Sequence, residues 1–589
     1  MSIEPLITEH LDIWTAADTE KKSGRGRSSG TAGNVYGVKK LRELILELAV
    51  RGKLVPQDAN DEPASELLKR IAAEKAKLIA EGTIKKSKPL EPIANDEKPF
   101  DLPVGWEWVR LGNICSYIQR GKGPSYVDNS EFIVVSQKCV RWSGLDLSQA
   151  RFIEPESITK YEPVRFLSEG DILWNSTGTG TIGRACIVPT QTSQQVMVAD
   201  SHVTVVRPIG FGSLFLWRWI QSPSVQSKIE GVASGSTNQI ELNTSTVITQ
   251  VLPLPPLAEQ HRIVAKVDEL MALCDQLENQ HNNATEAHEK LVTHLLGTLT
   301  QSQNAEDFNI NWHRISEHFD TLFTTEASID ALKQTLLQLA VMGKLVPQDP
   351  NDEPASELLK RIQAEKAKLI AEGKIKKDKP LAEITDEEKP FDLPVGWEWV
   401  RLGNALDVTG GITLGRKIIG TDLIQLPYLR VANVQRGYLM LDSIKKLEIR
   451  QSELQRYQLL KNDLLVTEGG DWDKVGRTAI WNSEIESCLH QNHIFRMRNL
   501  IEGVSCLWIE KYMNSIAKTY FQAASKQTTN LASINMTQLK NCLLAVPSFE
   551  EQQRIINKMN ELMEFCDQLK IHIILVNQLQ QKLADLVIE

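Results

Sequence analysis

Residues 98–113, KPFDLPVGWEWVRLGN, recur letter for letter at 389–404. Outward from there, 41–113 align with 332–404 without a gap at a constant offset of 291, and 58 of the 73 positions are identical. Self-similarity of that length marks a repeat architecture and not merely a shared motif. KLVPQD from Lys53 recurs at Lys344, and NDEPASELLKRI from Asn60 recurs at Asn351. A second pair lies at offset 292: PPLAEQHRIVAKVDELMALCDQL (255–277) against PSFEEQQRIINKMNELMEFCDQL (547–569). A fainter pair, ITEHLDIW (7–14) and ISEHFDTL (315–322), lies at offset 308, so the first copy carries 17 additional residues. The basic, Gly/Ser-rich run 21–37 has that length and reads as a flexible insertion. Between the repeated blocks, about 114–252 and 405–544, the copies share little identity. The chain is two half-proteins, each a common framework around its own insert, which suits two related tasks on different targets.

The framework reads as helix. After the first insert Ile263, Val267, Leu270, Cys274, Leu277, Ala284, Leu291 and Leu295 fall on steps of three and four. Ile555, Met559, Leu562, Cys566, Leu569, Ile573 and Val576 do so after the second, and such a seam requires a partner helix. His281 and His288 lie on the first seam, where a polar residue sets register in preference to binding metal. At roughly 35–40 residues and 1.5 Å per residue these helices reach about 50–60 Å. Shorter helices are expected from near Val38 and Ser328, stopping at Gly52 and Gly343, and over 64–81 and 355–372. The inserts change character to short β-rich runs such as FIVVSQ and HVTVVRP between turn residues. They share a faint skeleton. GDILWNSTGTGTIGRACIV (170–188) parallels NDLLVTEGGDWDKVGRTAIW (462–481), SHV (201–203) parallels NHI (492–494), and STNQIELN (236–243) parallels TTNLASIN (528–535).

These signals predict an α+β chain with two small α/β domains separated by long antiparallel, coiled-coil-like helices and an internal pseudo-two-fold repeat. The expected boundaries are 1–100 for an N-terminal helical region, 101–252 for the first domain and 253–390 for a central helical spacer. The second domain is placed at 391–546 and a C-terminal helix at 547–589.

With 589 residues, 42% hydrophobic and 24% charged, the chain has ordinary globular usage, and no run of 18 apolar residues or signal-peptide pattern appears. That predicts a soluble cytoplasmic protein with no membrane partner. Eight cysteines include no CxxC pair, which argues against zinc ribbons and disulfide scaffolds. The net charge of −9 argues against a polyanion partner until it is divided. The first insert carries 11 basic and 11 acidic residues and the second 17 and 13, so the acidity lies in the framework. No amino-methylase motif, phosphate-binding glycine loop or metal-spaced His/Cys cluster occurs. Asp171 and Asp463 open buried strands and read as structural residues in preference to catalytic carboxylates.

The duplicated KLVPQD and NDEPASELLKRI blocks, GWEWVRLGN leading into each insert, PLPPLAEQHRI leaving the first and the GDIL…GR skeleton together resemble the specificity subunit of type I DNA restriction–modification systems. The linker blocks are most similar to the type IB branch. The resemblance spans essentially the whole chain. The second exit motif departs to VPSFEEQQRI but keeps Pro547, Glu551, Gln552 and Arg554. The resemblance implies that each insert is a target-recognition domain reading one half of an asymmetric, split site in double-stranded DNA, and that the helical regions fix the gap. It implies two modification subunits that use S-adenosylmethionine to methylate adenine N6, and two restriction subunits that use ATP and Mg. The chain itself would hold no cofactor, no metal and no catalytic residue.

Loop residues with long donors are the candidate DNA contacts: Arg for guanine, Asn or Gln for adenine, Lys for phosphate. In the first insert these are Arg120, Lys122, Tyr126, Lys138, Arg141, Trp174, Asn175, Thr177, Thr179 and Asn238. In the second they are Arg416, Lys417, Arg436, Trp472, Lys474, Lys526, Gln527 and Asn530. Arg184 and Arg477, in the shared GR step, read as structural. Two rival readings remain open from sequence: a stand-alone methylase or nuclease with unfamiliar motifs, and a coiled-coil adaptor whose inserts bind protein without DNA specificity.

Overall fold

A computed structural model describes residues 11–16, 35–178, 180–190, 196–233, 241–415, 422–472, 474–527 and 532–586. The expected insertion 21–37 lies outside these, except for its last three residues. The chain divides into two compact units, Met1–Ala284 with Asn577–Glu589, and Thr285–Val576. The stretch read as one central spacer, 253–390, is therefore shared between them.

In the first unit the strand Glu107–Arg110, which leads into the insert, pairs antiparallel with Val251–Leu254, which leads out. Glu398–Arg401 and Leu543–Val546 form the same clasp in the second unit. Each insert leaves and re-enters its framework at one point, so its interior can vary without moving the framework. Inside the first clasp an antiparallel sheet runs Cys115–Arg120, Val203–Pro208, Ile172–Asn175, Ala185–Ile187. The second insert repeats that order with Leu406–Gly410, Ile494–Asn499, Asp463–Thr467 and Thr478–Trp481. The GDIL…GR skeleton is the hairpin that forms one edge of this shared sheet, its first strand inner and its second outer. Beyond it the inserts diverge. The first adds four short strands built around Ile133–Val135, and the second adds a long hairpin, Leu423–Leu429 with Lys445–Arg450.

Buried ionic locks hold each sheet. Asp171 is wholly buried and grips Arg207 with both carboxylate oxygens, Nε–Oδ1 and Nη2–Oδ2 each at 2.7 Å. Asp463 grips Arg498 in the same way, both bonds at 2.6 Å. A buried carboxylate whose two oxygens are already occupied by an Arg fork is a structural tie.

The framework motifs explain one another. Gly52 and Gly343 adopt φ of +67° and +71°, and a Cβ on either would lie 2.5 Å from Cγ of Pro103 or Pro394, so glycine is required for the backbone to pass under the clasp. Trp106 donates Nε1–H to Glu259 at 2.9 Å, and Gln57 donates to its other oxygen at 3.1 Å. Trp397, Glu551 and Gln348 repeat both distances. Burial pushes the Glu259 and Glu551 carboxyls up, against these hydrogen bonds. Gln552 accepts from Ser505 N and donates to Pro547 O, and Arg554 pairs with Asp352. These contacts account for the four residues that the diverged second exit motif keeps.

The long helices run Leu257–Thr300 and Phe549–Leu586, 44 and 38 residues, so the first is longer than expected. The shorter pairs are Tyr36–Val50 with Glu326–Val341, and Ala64–Ala80 with Ala355–Ala371. Ser328 is the third residue of its helix and not the first, because Thr325 caps it by accepting from Ser328 N at 3.1 Å. The predicted seam holds from Ile263 to Leu277, all buried, and then shifts. Ala284 is exposed and Leu291 is 48% exposed, whereas Val292, Leu296 and Leu299 are buried with Leu295 partly so. His288 donates Nε2–H to Leu322 O at 2.9 Å. In the second helix Ile555, Met559, Leu562 and Cys566 are buried, and Leu569 and Ile573 pack beside them. No helix among the described residues is long and apolar enough to cross a membrane.

Candidate nucleic-acid interface

The three matched sequence segments of the inserts meet at one place in each. In the first, Ser176 N donates to His202 O at 2.9 Å and Ser176 O accepts from Leu242 N at 2.8 Å. In the second, Glu468 N donates to His493 O at 3.0 Å and Glu468 O accepts from Ile534 N at 2.9 Å. The end of the central strand is thus tied to the SHV or NHI turn on one side and to the Asn-rich segment on the other. A fourth loop joins from the sheet's outer strand. Gly121 and Gly411 press so close to the turn that a side chain would collide with Ala199 O or His490 O.

The side chains mounted on this common backbone differ. In the first insert Thr177 Oγ1 contacts His202 Nδ1 at 2.7 Å and Arg120 pairs with Glu241. In the second, His493 Nδ1 bonds Glu468 Oε2 at 2.6 Å and Lys474 pairs with Asp471. Beside the first cluster lies an open polar cleft of about 400 Å³, lined by Tyr126, Gln137, Lys138, Gln149, Arg151 and His202 among others. The Arg151 guanidinium sits 3.9 Å above the Tyr126 ring, a flat cationic surface of the kind that stacks on bases. At the cleft Asp200 is buried, which raises its carboxyl, while His202 N bonds it at 2.8 Å.

The structure brings together Arg120, Lys122, Tyr126, Lys138 and Thr177 of the first set. Lys122 N bonds Ala199 O at 3.1 Å, placing its loop on the same turn. In the second set the loop of Trp472, 45% exposed, and Lys474 follows Gly469–Gly470. That strand shares a small sheet with Ala532–Ser533 and with Lys526–Gln527. Two expectations need correction. Trp174 and Asn175 are not loop residues: both lie in the central strand with no exposed surface. Trp174 donates to Gly183 O and meets Trp219 edge-on at 6.4 Å, and Asn175 donates to Gln137 O. Arg436 is half-buried and donates to Asn514 Oδ1 at 3.3 Å, bracing its loop against the helix Cys506–Asn514. Arg141 is turned toward Asp146 at 3.8 Å on a neighbouring hairpin. Arg184 and Arg477 bond Gly180 O and Gln435 Oε1, within their own insert. Thr179, Asn238, Arg416, Lys417 and Asn530 lie outside the described residues, as do the side chains of Lys526 and Gln527. Sequence reasoning missed Gln137, Gln149, Arg151 and His202. Gln137 carried a usable signal, as a polar residue directly after the buried run IVVS.

The family model described as "Type I restriction modification DNA specificity domain" matches residues 103–287 and 394–577. The chain belongs to this family. The two matches coincide with the two inserts, their clasps and the first parts of the long helices. The specificity subunit of the type I restriction enzyme EcoAI from Escherichia coli is 42% identical, with 99% of each chain covered. That of EcoEI, also from Escherichia coli, is 40% identical over 99% of each. The crystal structure of the HsdS subunit from Thermoanaerobacter tengcongensis is 18% identical, covering 83% of this chain and 98% of that one, with a TM-score of 0.41.

Proposed function

We propose that this chain is a non-catalytic DNA-reading subunit in which each insert recognises one half of an asymmetric bipartite site. The observation that carries this is the twice-built loop cluster: equal backbone, unequal side chains. Base pairs are told apart by donor and acceptor patterns in the major groove, so exchanging Thr177–His202 for Glu468–His493 changes the half-sequence that fits. Tyr126, Lys138, Arg151, Trp472 and Lys474 are the exposed groups assigned to bases and phosphates. Where DNA is absent, Glu241 holds Arg120 and Asp471 holds Lys474 in place. A split site needs its readers held at a fixed spacing, roughly 34 Å for one helical turn, and the long helices are assigned that role. Methylation at adenine N6, with S-adenosylmethionine, and DNA cleavage, with ATP and Mg, are assigned to two modification and two restriction subunits that assemble on this chain in the cytoplasm. The occupied Asp171 and Asp463 carboxylates support the absence of catalysis from this subunit.

The test is the pattern of modified adenines in a genome exposed to the co-expressed modification subunit, with and without this chain. A split motif with one fixed gap, appearing only when the chain is present, is expected. Motif-free or unchanged methylation would return the protein to the adaptor reading.

A further inference from the structure

The histidine of the SHV and NHI turns stands on both loop clusters, as His202 in the first insert and His493 in the second. The backbone holds the two alike, since His202 O accepts from Ser176 N at 2.9 Å and His493 O from Glu468 N at 3.0 Å. Both rings lie at the surface, His202 on the polar cleft and His493 with 57% of its side chain exposed. Each ring is also held at the same nitrogen, Nδ1, by a side chain at the end of the central strand. The holders differ in kind. Thr177 Oγ1 lies 2.7 Å from His202 Nδ1, and Glu468 Oε2 lies 2.6 Å from His493 Nδ1.

A neutral imidazole carries one ring proton, so the bond made at one nitrogen fixes what the other offers. A carboxylate only accepts. Glu468 therefore draws the proton of His493 to Nδ1 and leaves a lone pair on Nε2. Asn492 Nδ2 lies 3.5 Å from that nitrogen, a donor turned toward an acceptor. A hydroxyl, by contrast, has a hydrogen to give. Oγ1 of Thr177 makes no other hydrogen bond among the described residues, so its hydrogen goes to Nδ1 of His202 and the ring proton stays on Nε2. The neighbouring Asp200 does not disturb this arrangement, because its Oδ1 accepts from the His202 amide at 2.8 Å and not from the ring.

We infer that the partner at Nδ1 sets the reading polarity of this shared histidine: Nε2 of His202 donates to a base, and Nε2 of His493 accepts from one. The inference rests on the function proposed above, in which these clusters face DNA. In the major groove guanine O6 and thymine O4 accept where adenine N6 and cytosine N4 donate. His202 thus selects guanine or thymine at its position in the first half-site, and His493 selects adenine or cytosine at its position in the second. Exchanging a hydroxyl for a carboxylate at the strand end inverts the base selected while the turn keeps its backbone. Thr177 and Glu468 are positioning residues here, acting through the ring.

The experiment is the genome-wide methylation motif produced by the full chain with the co-expressed modification subunit, for wild type, Thr177→Asp and Thr177→Val. Aspartate only accepts at Nδ1. Thr177→Asp is therefore expected to change one position of the first half-sequence from guanine or thymine to adenine or cytosine, with at least about a tenfold loss of methylation at the original site. Thr177→Val removes the bond at Nδ1 and is expected to admit both classes of base at that one position. The second half-sequence stays as in wild type. An unchanged first half-sequence in Thr177→Asp would overturn the inference. Absence of any chain-dependent split motif in wild type would instead overturn the function on which it rests. Should the variants lose methylation altogether, nitrogen NMR of the full wild-type chain labelled in histidine decides, with the two rings assigned from His202→Gln and His493→Gln. His202 is expected to carry its proton on Nε2 and His493 on Nδ1. One tautomer shared by both, or a doubly protonated ring at either, would reject the inference.

Discussion

His490 sits with no exposed surface in the second insert, donating Nδ1–H to Ile494 O at 2.9 Å while its Nε2 has no partner. Burial brings its pKa down to about 4, with Arg496 and Arg498 lowering it further and the Ile494 bond and Asp463 opposing. The unfolded chain takes up a proton near the ordinary value of about 6.5, well before the folded one does. Stability from this group is therefore complete above pH 6.5 and is lost as pH falls toward 4. At 1.36 kcal/mol per unit the loss between pH 7 and 4.5 is about 2 kcal/mol. Urea unfolding of wild type and His490→Gln, followed by hydrogen exchange in 406–499, is expected to diverge by that amount on acidification, and parallel curves would refute the assignment. Legibility at this scale followed exposure. Tyr126 and Lys138 were identifiable because aromatic and basic residues after turns tend to be exposed. Trp174 and Asn175 misled because GDILWNST shows where a strand begins but not where it ends. The strand runs through Asn175, so the two candidates fall inside the sheet and not on the loop that follows.

Arg401 is 3% exposed and uses all five donors, on Ala382 O, Glu383 O, Asn541 O and both oxygens of Glu388. It links three elements: the clasp strand, the loop before it and the end of the helix Met536–Asn541. Lysine keeps the charge but offers three donors without the planar fork, leaving at least two of the five acceptors unmet. Arg401→Lys is expected to destabilise the second unit by about 2–4 kcal/mol and to release the loop, speeding tryptic cleavage after the exposed Lys376 and Lys377. Cleavage there at the wild-type rate would show that the loop is held by other means. The repeated letters of this framework announced that such elements exist, but not their partners. Trp106, Gln57 and Glu259 stand far apart in sequence, and only folding shows that they share one carboxylate. The seam of Leu257–Thr300 was ambiguous for a different reason. The doublets Leu291–Val292 and Leu295–Leu296 satisfy two heptad registers, and packing chose the second residue of each as the buried one.

At the scale of the whole molecule, the two clasps are interchangeable in register. Glu107 faces Leu254 and Arg110 faces Val251, as Glu398 faces Val546 and Arg401 faces Leu543. Both inserts also begin on the same outer strand of the same four-stranded sheet. An insert cut between the clasp strands therefore meets equivalent backbone and the same arginine lock in either framework. Replacing 402–542 by 111–250 yields a chain that carries the first reader twice. Its methylation target is expected to lose the second half-sequence and to contain the first half-sequence twice at a fixed gap. The relation between those two halves carries further information. The pseudo-two-fold repeat expected from the sequence predicts an inverted repeat, whereas a simple translation of one half along the DNA would give a direct repeat. A target that still contains the original second half would mean that the framework reads bases, and would remove the basis for assigning specificity to the inserts.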